Sequence, residues 1–137
     1  MVKGARLGKE IVVTVVNKIG VLADISKILA DHGINIAAVL GYAAGNNEAK
    51  IALVTEDNLR ASDALGKKNY KSLKESEVVI VELENKPGAL ENLTAKLASE
   101  GIDIKYLYGT TCTCGGPATI VFSTSDNEKA LIAFKAK

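Results

Sequence analysis

The stretch Asn17-Lys18-Ile19-Gly20-Val21-Leu22 returns half a chain later as Asn85-Lys86-Pro87-Gly88-Ala89-Leu90. The match continues to Ile36 of the first copy, with Leu, Ala, Gly-Ile and Ile at corresponding places. A repeat this specific indicates that one small unit has been used twice, each copy burying little surface on its own. The sequence therefore predicts a first unit over residues 1–76 and a second unit over residues 77–137.

The composition is that of an ordinary globular chain, with 47% hydrophobic and 24% charged residues among 137. The 17 basic and 16 acidic residues form no long run, so neither nucleic acid nor an anionic membrane is indicated as a partner. No apolar stretch reaches the roughly 18 residues needed to cross a bilayer, and the first ten residues lack a signal-peptide core. With only two cysteines, we expect a cytoplasmic protein with reduced thiols.

Each repeated loop joins a predicted strand to a predicted helix. Residues 10–16 and 78–84 are rich in β-branched side chains and stop at Asn-Lys-x-Gly, which is typical of strands. After each loop the apolar residues recur at helical spacing, and each helix runs into a glycine, Gly33 or Gly101. The predicted apolar stripes are Val21, Leu22, Ile25, Ile28 and Leu29 in one helix and Leu90, Leu93, Leu97 and Ala98 in the other.

The rest of each unit predicts a hairpin and a second helix. Residues 44–47 and 114–117 favour hairpin turns, because glycine and asparagine readily adopt the positive φ of such turns. Residues 125–128 predict a capping box at one second helix, and the other second helix has an apolar face of Leu59, Ala64 and Leu65. The first unit closes with a strand near residues 70–76. The second unit reaches Ala136-Lys137 directly after its helix, so its closing strand is expected to be missing.

The repeated loop has the chemistry of an anion site. A helix that starts just after a strand presents free backbone amides at the positive end of its dipole, where a carboxylate binds well. Asn17 and Asn85 offer both a donor and an acceptor, which suits the ammonium and carboxylate of an amino acid. Lys18 and Lys86 add positive charge. Turn chemistry alone would also explain the pattern, since asparagine and glycine make tight turns wherever a unit is duplicated.

The order strand, Asn-Lys-Pro-Gly-Ala-Leu, helix, Gly-Ile-Asp-Ile, strand resembles the ACT domain, and the resemblance covers residues 10–135. It implies an α+β protein of two ferredoxin-like βαββαβ units in tandem, with antiparallel sheets and helices on one face. It also implies that an amino acid binds at the strand-to-helix loops, usually at an interface between two units. The ligand positions carried over are Asn17, Ile19, Gly20, Val21 and Leu22, and Asn85, Pro87, Gly88, Ala89 and Leu90. Ile19 replaces the proline usual in the family.

Two other clusters have chemistry of their own. Cys112 and Cys114 would lie on the same face of a strand, where they are expected to be ordinary small residues rather than metal or redox groups. Tyr106 and Tyr108 share one strand face and could line a ligand site or pack at a sheet edge. Glu82 and Glu84 are expected to be solvated. With one histidine, His32, expected at a helix end, no catalytic set is predicted, and we expect no metal site and no cofactor.

The sequence thus predicts a non-enzymatic regulatory protein, a homodimer that binds a free amino acid at its two loops. The small apolar Val21 and Ala89 beside the glycines favour a modest or apolar ligand side chain. The second loop is the first choice for the site, because it keeps the proline. The main alternative is a regulatory subunit that binds and controls an amino-acid biosynthetic enzyme. A ferredoxin-like metal carrier is a third reading, disfavoured by the absence of Cys-x-x-Cys at the loops.

Overall fold

The computed structural model describes residues 1–135 and divides the chain into two compact units. Residues Lys9–Ser76 form one, called the N-terminal unit below. Residues 77–135 form the other, the C-terminal unit, and Met1–Gly8 belong to it as well. This differs from the sequence prediction, which placed residues 1–8 in the first unit.

The N-terminal unit has its strands in the order β2-β3-β1-β4. Strand β3 is antiparallel to both neighbours and pairs with β1 from Ile11↔Leu53 to Val16↔Glu48. Both helices pack on one face of these strands, as expected, because the alternate residues Ile11, Val13 and Val15 share a core with the helices. The elements are β1 (Val2–Val16), α1 (Val21–Asp31), β2 (Ile36–Gly45), β3 (Glu48–Thr55), α2 (Asn58–Lys67) and β4 (Leu73–Leu83), with β1 and β4 passing on into the other unit.

The C-terminal unit repeats this order as β5-β6-β4-β1. Strand β6 pairs antiparallel with β4 from Val79↔Phe122 to Leu83↔Ala118 and with β5 on its other side. Its core joins alternate residues of β4 and β6 to the inward faces of the helices. Besides the shared strands, its elements are α3 (Ala89–Ser99), β5 (Ile104–Thr110), β6 (Ala118–Thr124) and α4 (Asn127–Lys135).

The closing strand of the C-terminal unit is present, so the prediction that it is missing was wrong. The first half of β1 supplies it: Val2, Ala5 and Leu7 pack against the C-terminal core. The Glu84 amide donates to the Met1 carbonyl at 2.9 Å, whereas Gly8 lies beside Ile80, so this segment runs antiparallel to β4. A strand can be supplied from any part of a chain, and here it precedes the unit that it closes. The expected chain end at Ala136-Lys137 lies outside the described residues.

Three leucines and an alanine of the predicted helix stripes face outward. Leu22 is 42% exposed and Leu90 49%, because the neighbouring Val21 and Ala89 take the inward positions at the first turn. Leu59 is 83% exposed, and α2 packs instead through Ala61, Ala64 and Leu65. Ala98 of α3 is also exposed. The apolar stripes are therefore narrower than the sequence alone indicated.

The two hairpins close in different ways. Strands β2 and β3 are joined by Asn46 and Asn47, whose φ angles of 51° and 61° are those of a tight two-residue turn. Strands β5 and β6 are joined by a longer loop over residues 111–117. Cys112 and Cys114 lie in this loop rather than on a strand, and their sulfur atoms are bonded as a disulfide. The expectation that both cysteines lie on one strand face was wrong, because the strand ends at Thr110. The expectation of reduced thiols differs from the disulfide described here.

The second helices are held by a repeated Thr-x-Asp-Asn turn, not by the predicted capping box. Asp126 caps α4 by accepting from the Lys129 amide at 3.0 Å, and the Ser125 hydroxyl accepts instead from Asp103. Asp57 caps α2 in the same way, accepting from the Arg60 amide at 3.1 Å. In both turns the asparagine side chain bridges the threonine to the backbone of a neighbouring strand. Caps of this kind satisfy amides that would otherwise stay free.

Candidate functional site

The two repeated loops share one backbone geometry. In each, a strand ends and a helix begins at a glycine in the left-handed region, Gly20 with φ 90° and Gly88 with φ 88°. A Cβ at Gly20 would meet open space, and one at Gly88 would lie 3.9 Å from the Met1 Cε. Glycine is therefore required here for its backbone angle rather than for lack of room.

Helices α1 and α3 start without a side-chain cap among the described residues, unlike α2 and α4. In α3 the Ala89 amide donates to the Lys86 carbonyl at 3.2 Å, which leaves the amides of Leu90 and Glu91 without a backbone or capping partner in residues 1–135. Free amides at the positive end of a helix attract an anion. The loops thus keep open the hydrogen-bonding groups that the other two helices satisfy internally.

In the C-terminal unit the loop borders a cavity of about 280 Å³. Of the predicted site residues, Asn85, Ala89 and Leu90 line it, whereas Pro87 and Gly88 shape the turn behind them. The Asn85 side chain is exposed and makes no hydrogen bond within the described part of the chain. The full lining is Leu83, Glu84, Asn85, Lys86, Ala89, Leu90, Leu107, Gly109, Thr110, Thr111, Ala118 and Ile120.

One wall of this cavity carries both signs of charge. The Lys86 ammonium lies 3.3 Å from the Glu84 carboxylate, and the Met1 amino group lies 3.4 Å from it. The hydrogen bond and charge of Lys86, followed by the Met1 amino group, hold the pKa of the Glu84 carboxyl below its ordinary value. Glu84 is therefore an anion at neutral pH, and of the two predicted strand carboxylates it is the one that reaches the cavity.

Half of the lining comes from the β5–β6 hairpin, which carries none of the ten predicted ligand positions. Leu107 lies between Tyr106 and Tyr108 and faces the cavity, whereas neither tyrosine is in the lining. Gly109 lets β5 pass close to β6: a Cβ there would lie 2.7 Å from the Thr119 carbonyl oxygen and 2.5 Å from the Ile120 Cδ1. The repeat itself marks Gly109 in the sequence, because Gly41 stands at the corresponding place of the first copy.

The N-terminal loop has different surroundings. Its Asn17 amide donates to the Asn47 carbonyl at 2.8 Å, so the tight β2–β3 turn is bonded to the start of the loop. A cavity of about 520 Å³ lies beside this loop, and its lining includes residues that follow α2 rather than residues of the β2–β3 hairpin. Val21 lines this cavity, whereas Asn17, Ile19, Gly20 and Leu22 do not, and Ile19 is fully exposed. Its lining is Thr14, Val15, Val16, Lys18, Val21, Asp24, Lys68, Asn69, Tyr70, Lys71 and Ser72.

A hydrogen bond joins two of the residues that line this second cavity. The Tyr70 hydroxyl donates to the Asp24 carboxylate at 2.5 Å. Burial, followed by the Asp24 carboxylate, raises the pKa of Tyr70 to about 12, because both disfavour the phenolate. The Asp24 carboxylate in the first turn of α1 thus already has a partner. The first turn of α1 leaves the Leu22 and Ala23 amides without a described partner, as α3 does those of Leu90 and Glu91, so the two loops differ in the cavity beside them rather than in their free amides.

Comparison with known proteins gives one family match and several proteins of similar fold. Residues 9–74, nearly all of the N-terminal unit, match the sequence profile of the ACT domain. A protein of Bacteroides thetaiotaomicron has the same fold, with 26% identity and a TM-score of 0.87, covering 96% of this chain and 89% of that one. The regulatory subunits of aspartate kinase from Thermus thermophilus and Thermus flavus share the fold at 18% and 17% identity.

For the Thermus thermophilus subunit the TM-score is 0.69, covering 98% of this chain and 97% of that one. For the Thermus flavus subunit it is 0.62, covering 98% and 97%. No curated protein sequence matches the chain. Within residues 1–135 no helix is long and apolar enough to span a bilayer. In the same residues no group of three or more potential metal-binding side chains comes together.

Proposed function

We propose that the protein is a non-catalytic regulatory protein of two ACT units in tandem, which binds a free amino acid in the cavity of its C-terminal unit. The ACT match over residues 9–74 supports the class, and the repeated loop supports its extension to the second unit. One observation carries the proposal. The uncapped start of α3 and a cavity large enough for a small molecule meet on the same loop.

The cavity matches the parts of an amino acid. The ligand carboxylate accepts from the free amides of Leu90 and Glu91, and the Asn85 side chain adds a further donor. The ligand ammonium lies against the ionised Glu84 carboxylate. The ligand side chain rests on apolar walls that include Leu83, Leu107 and Ile120. The small volume and apolar walls favour an aliphatic side chain.

Isothermal titration against the twenty common amino acids tests this assignment. We expect an aliphatic amino acid to give the largest heat, and no heat from any of them at millimolar concentration would overturn the proposal. The repeat provides a matched control, because Asn85→Ala and Asn17→Ala remove the same side chain from the same backbone geometry. Asn85→Ala should weaken binding about tenfold, the loss of a hydrogen bond to a charged group, while Asn17→Ala leaves it unchanged.

Glu84→Gln separates charge from shape at the same site. The substitution keeps the size of the side chain and removes the negative charge that faces the ammonium. We expect weaker binding of the amino acid but unchanged binding of its carboxylate analogue without the amino group. Equal losses for both ligands would contradict the role given to Glu84.

The regulatory part of the proposal is a cytoplasmic homodimer whose subunit arrangement responds to the ligand. Occupancy shifts such an equilibrium only if the ligand binds the two arrangements with different affinity. Sedimentation of the protein with and without its best amino acid measures the effect. A monomer in both conditions would exclude this mechanism and leave ligand binding standing.

A second function is favoured by the likeness to aspartate kinase regulatory subunits along nearly their whole length. In this alternative the chain is a regulatory subunit that controls an amino-acid biosynthetic enzyme, and ligand binding tunes that contact. Affinity capture from native extract, with and without the amino acid, distinguishes the two. Stoichiometric retention of one enzyme supports the subunit, whereas its absence favours the stand-alone sensor.

A further inference from the structure

The β5–β6 loop brings a redox-active group to the edge of the cavity. Thr110 and Thr111 line the cavity, and Cys112 follows them directly. Cys112 is half-buried, Cys114 is exposed, and the two sulfur atoms are joined in a disulfide. The corresponding hairpin of the N-terminal unit turns through Asn46 and Asn47 and has no cysteine.

This disulfide has little to contribute to the stability of the whole fold. The cysteines are separated by only 2 positions, and cross-linking so short a stretch removes little entropy from the unfolded chain. Its effect is local. Two hydrogen bonds also lie within the described loop. The Gly115 amide donates to the Cys112 carbonyl at 3.4 Å, and the Cys114 amide donates to the Cys112 sulfur at 3.2 Å. The disulfide therefore restrains residues 112–114, which follow directly after the cavity wall.

We propose that the Cys112–Cys114 disulfide is a thiol–disulfide exchange site, and that its reduction by a dithiol weakens amino-acid binding in the adjacent cavity. The second half of the proposal rests on the function proposed above, and the first half does not. In the oxidised protein the disulfide closes residues 112–114, directly after Thr111, into a ring. In the reduced protein these residues are freer, and ordering them when the ligand binds costs free energy.

The exchange proceeds by two displacements. A thiolate of the dithiol attacks the exposed Sγ of Cys114, forming a mixed disulfide and releasing the Cys112 thiolate, which takes up a proton. The second thiol of the reductant, as its thiolate, attacks the reductant sulfur of the mixed disulfide and releases the Cys114 thiolate, which is protonated in turn. The protein disulfide gains two electrons and two protons, and the dithiol becomes a disulfide. Exposure of Cys114 is what permits the first attack.

The exchange is tested without any ligand. The native protein, purified without reductant, is incubated with dithiothreitol or with oxidised glutathione, alkylated and weighed by intact mass spectrometry. We expect both cysteines to become alkylatable after dithiothreitol and to be protected again after oxidised glutathione. Cys112→Ser should form a mixed disulfide with glutathione faster than Cys114→Ser does. A disulfide that native-state dithiothreitol leaves intact, or thiols that oxidised glutathione leaves free, would overturn the exchange site.

The coupling is tested by titrating L-leucine and L-valine into the oxidised and reduced proteins. Reduction should weaken binding about threefold to tenfold, the cost of ordering a few loop side chains. The Cys112→Ser, Cys114→Ser double variant should bind like the reduced protein and be insensitive to dithiothreitol. Equal affinities in the two redox states would overturn the coupling. If neither amino acid binds in either state, the coupling falls with the proposed function, and the alkylation result decides the exchange site separately.

Discussion

The two Asn-Lys-x-Gly loops have nearly the same backbone and different surroundings. Each ends in a left-handed glycine and starts a helix that no described side chain caps. At the first loop the two-residue β2–β3 turn is hydrogen-bonded to Asn17. At the second, the pairing of β6 with β4 ends at Leu83↔Ala118, and a longer loop leaves a cavity beside Asn85. The two loops thus differ mainly in the hairpin that lies opposite each of them.

The largest expected effect comes from removing the strand that closes the C-terminal unit. A chain in which Met1 is followed directly by Lys9 loses the packing of Val2, Ala5 and Leu7 and leaves one side of β4 unpaired. Hydrogen exchange should rise throughout residues 77–135 and much less in residues 17–67. Lys3→Ala, at an exposed position of the same strand, is the control. Unchanged protection in residues 77–135 would show that the segment is not part of that unit.

The next largest effect distinguishes the two repeats at equivalent glycines. Gly109→Ala forces a Cβ against the Thr119 carbonyl and should destabilise the protein by about 1–3 kcal/mol, as overpacking does. At Gly41 the nearest atom to a Cβ is 3.9 Å away, so Gly41→Ala should cost less than about 0.5 kcal/mol. Urea unfolding of both variants measures the difference. Similar losses in the two would mean that the repeats do not differ in how closely their hairpin strands approach.

A smaller effect belongs to the N-terminal unit alone. Tyr70→Phe removes the hydrogen bond to Asp24 and should cost about 1 kcal/mol near neutral pH. Because folding raises the pKa of Tyr70 from 10.0 to about 12, the stabilisation is complete below pH 10 and is lost as the pH rises toward 12. The difference in unfolding free energy between wild type and variant should therefore shrink over that range. A difference that stays constant from pH 9 to 12 would contradict the assignment.

Much of this fold was predictable because its signals are local. The change from period-2 strands at residues 10–16 and 78–84 to helical spacing after each glycine fixed the element order of both repeats. The contribution of residues 2–8 could not be predicted in this way. Their partner, residues 77–83, lies far along the chain, and Gly4 and Gly8 break any clear alternation. Residues 2–8 therefore show no local sequence pattern that indicates pairing with so distant a strand.

Only one side of the candidate site in the C-terminal unit was predictable from the sequence. Asn85, Ala89 and Leu90 belong to a motif, whereas Leu107 and Ile120 reach the cavity through the pairing of β5 with β6, which a single sequence does not specify. The Cys112–Cys114 disulfide escaped prediction because the end of β5 at Thr110 places both residues in a loop. The capping residue at α4 was not predictable for a different reason, because Ser125 and Asp126 are adjacent and either side chain can cap a helix.

The most direct test of the difference between the loops is to follow backbone amides in ¹⁵N-labelled protein. The protein is titrated with the aliphatic amino acid that gives the largest heat of binding, and the shifts at the two helix starts are compared. We predict that the amides of Leu90 and Glu91 shift with a common affinity while those of Leu22 and Ala23 stay in place. Shifts at Leu22 and Ala23 without any at Leu90 and Glu91 would contradict it.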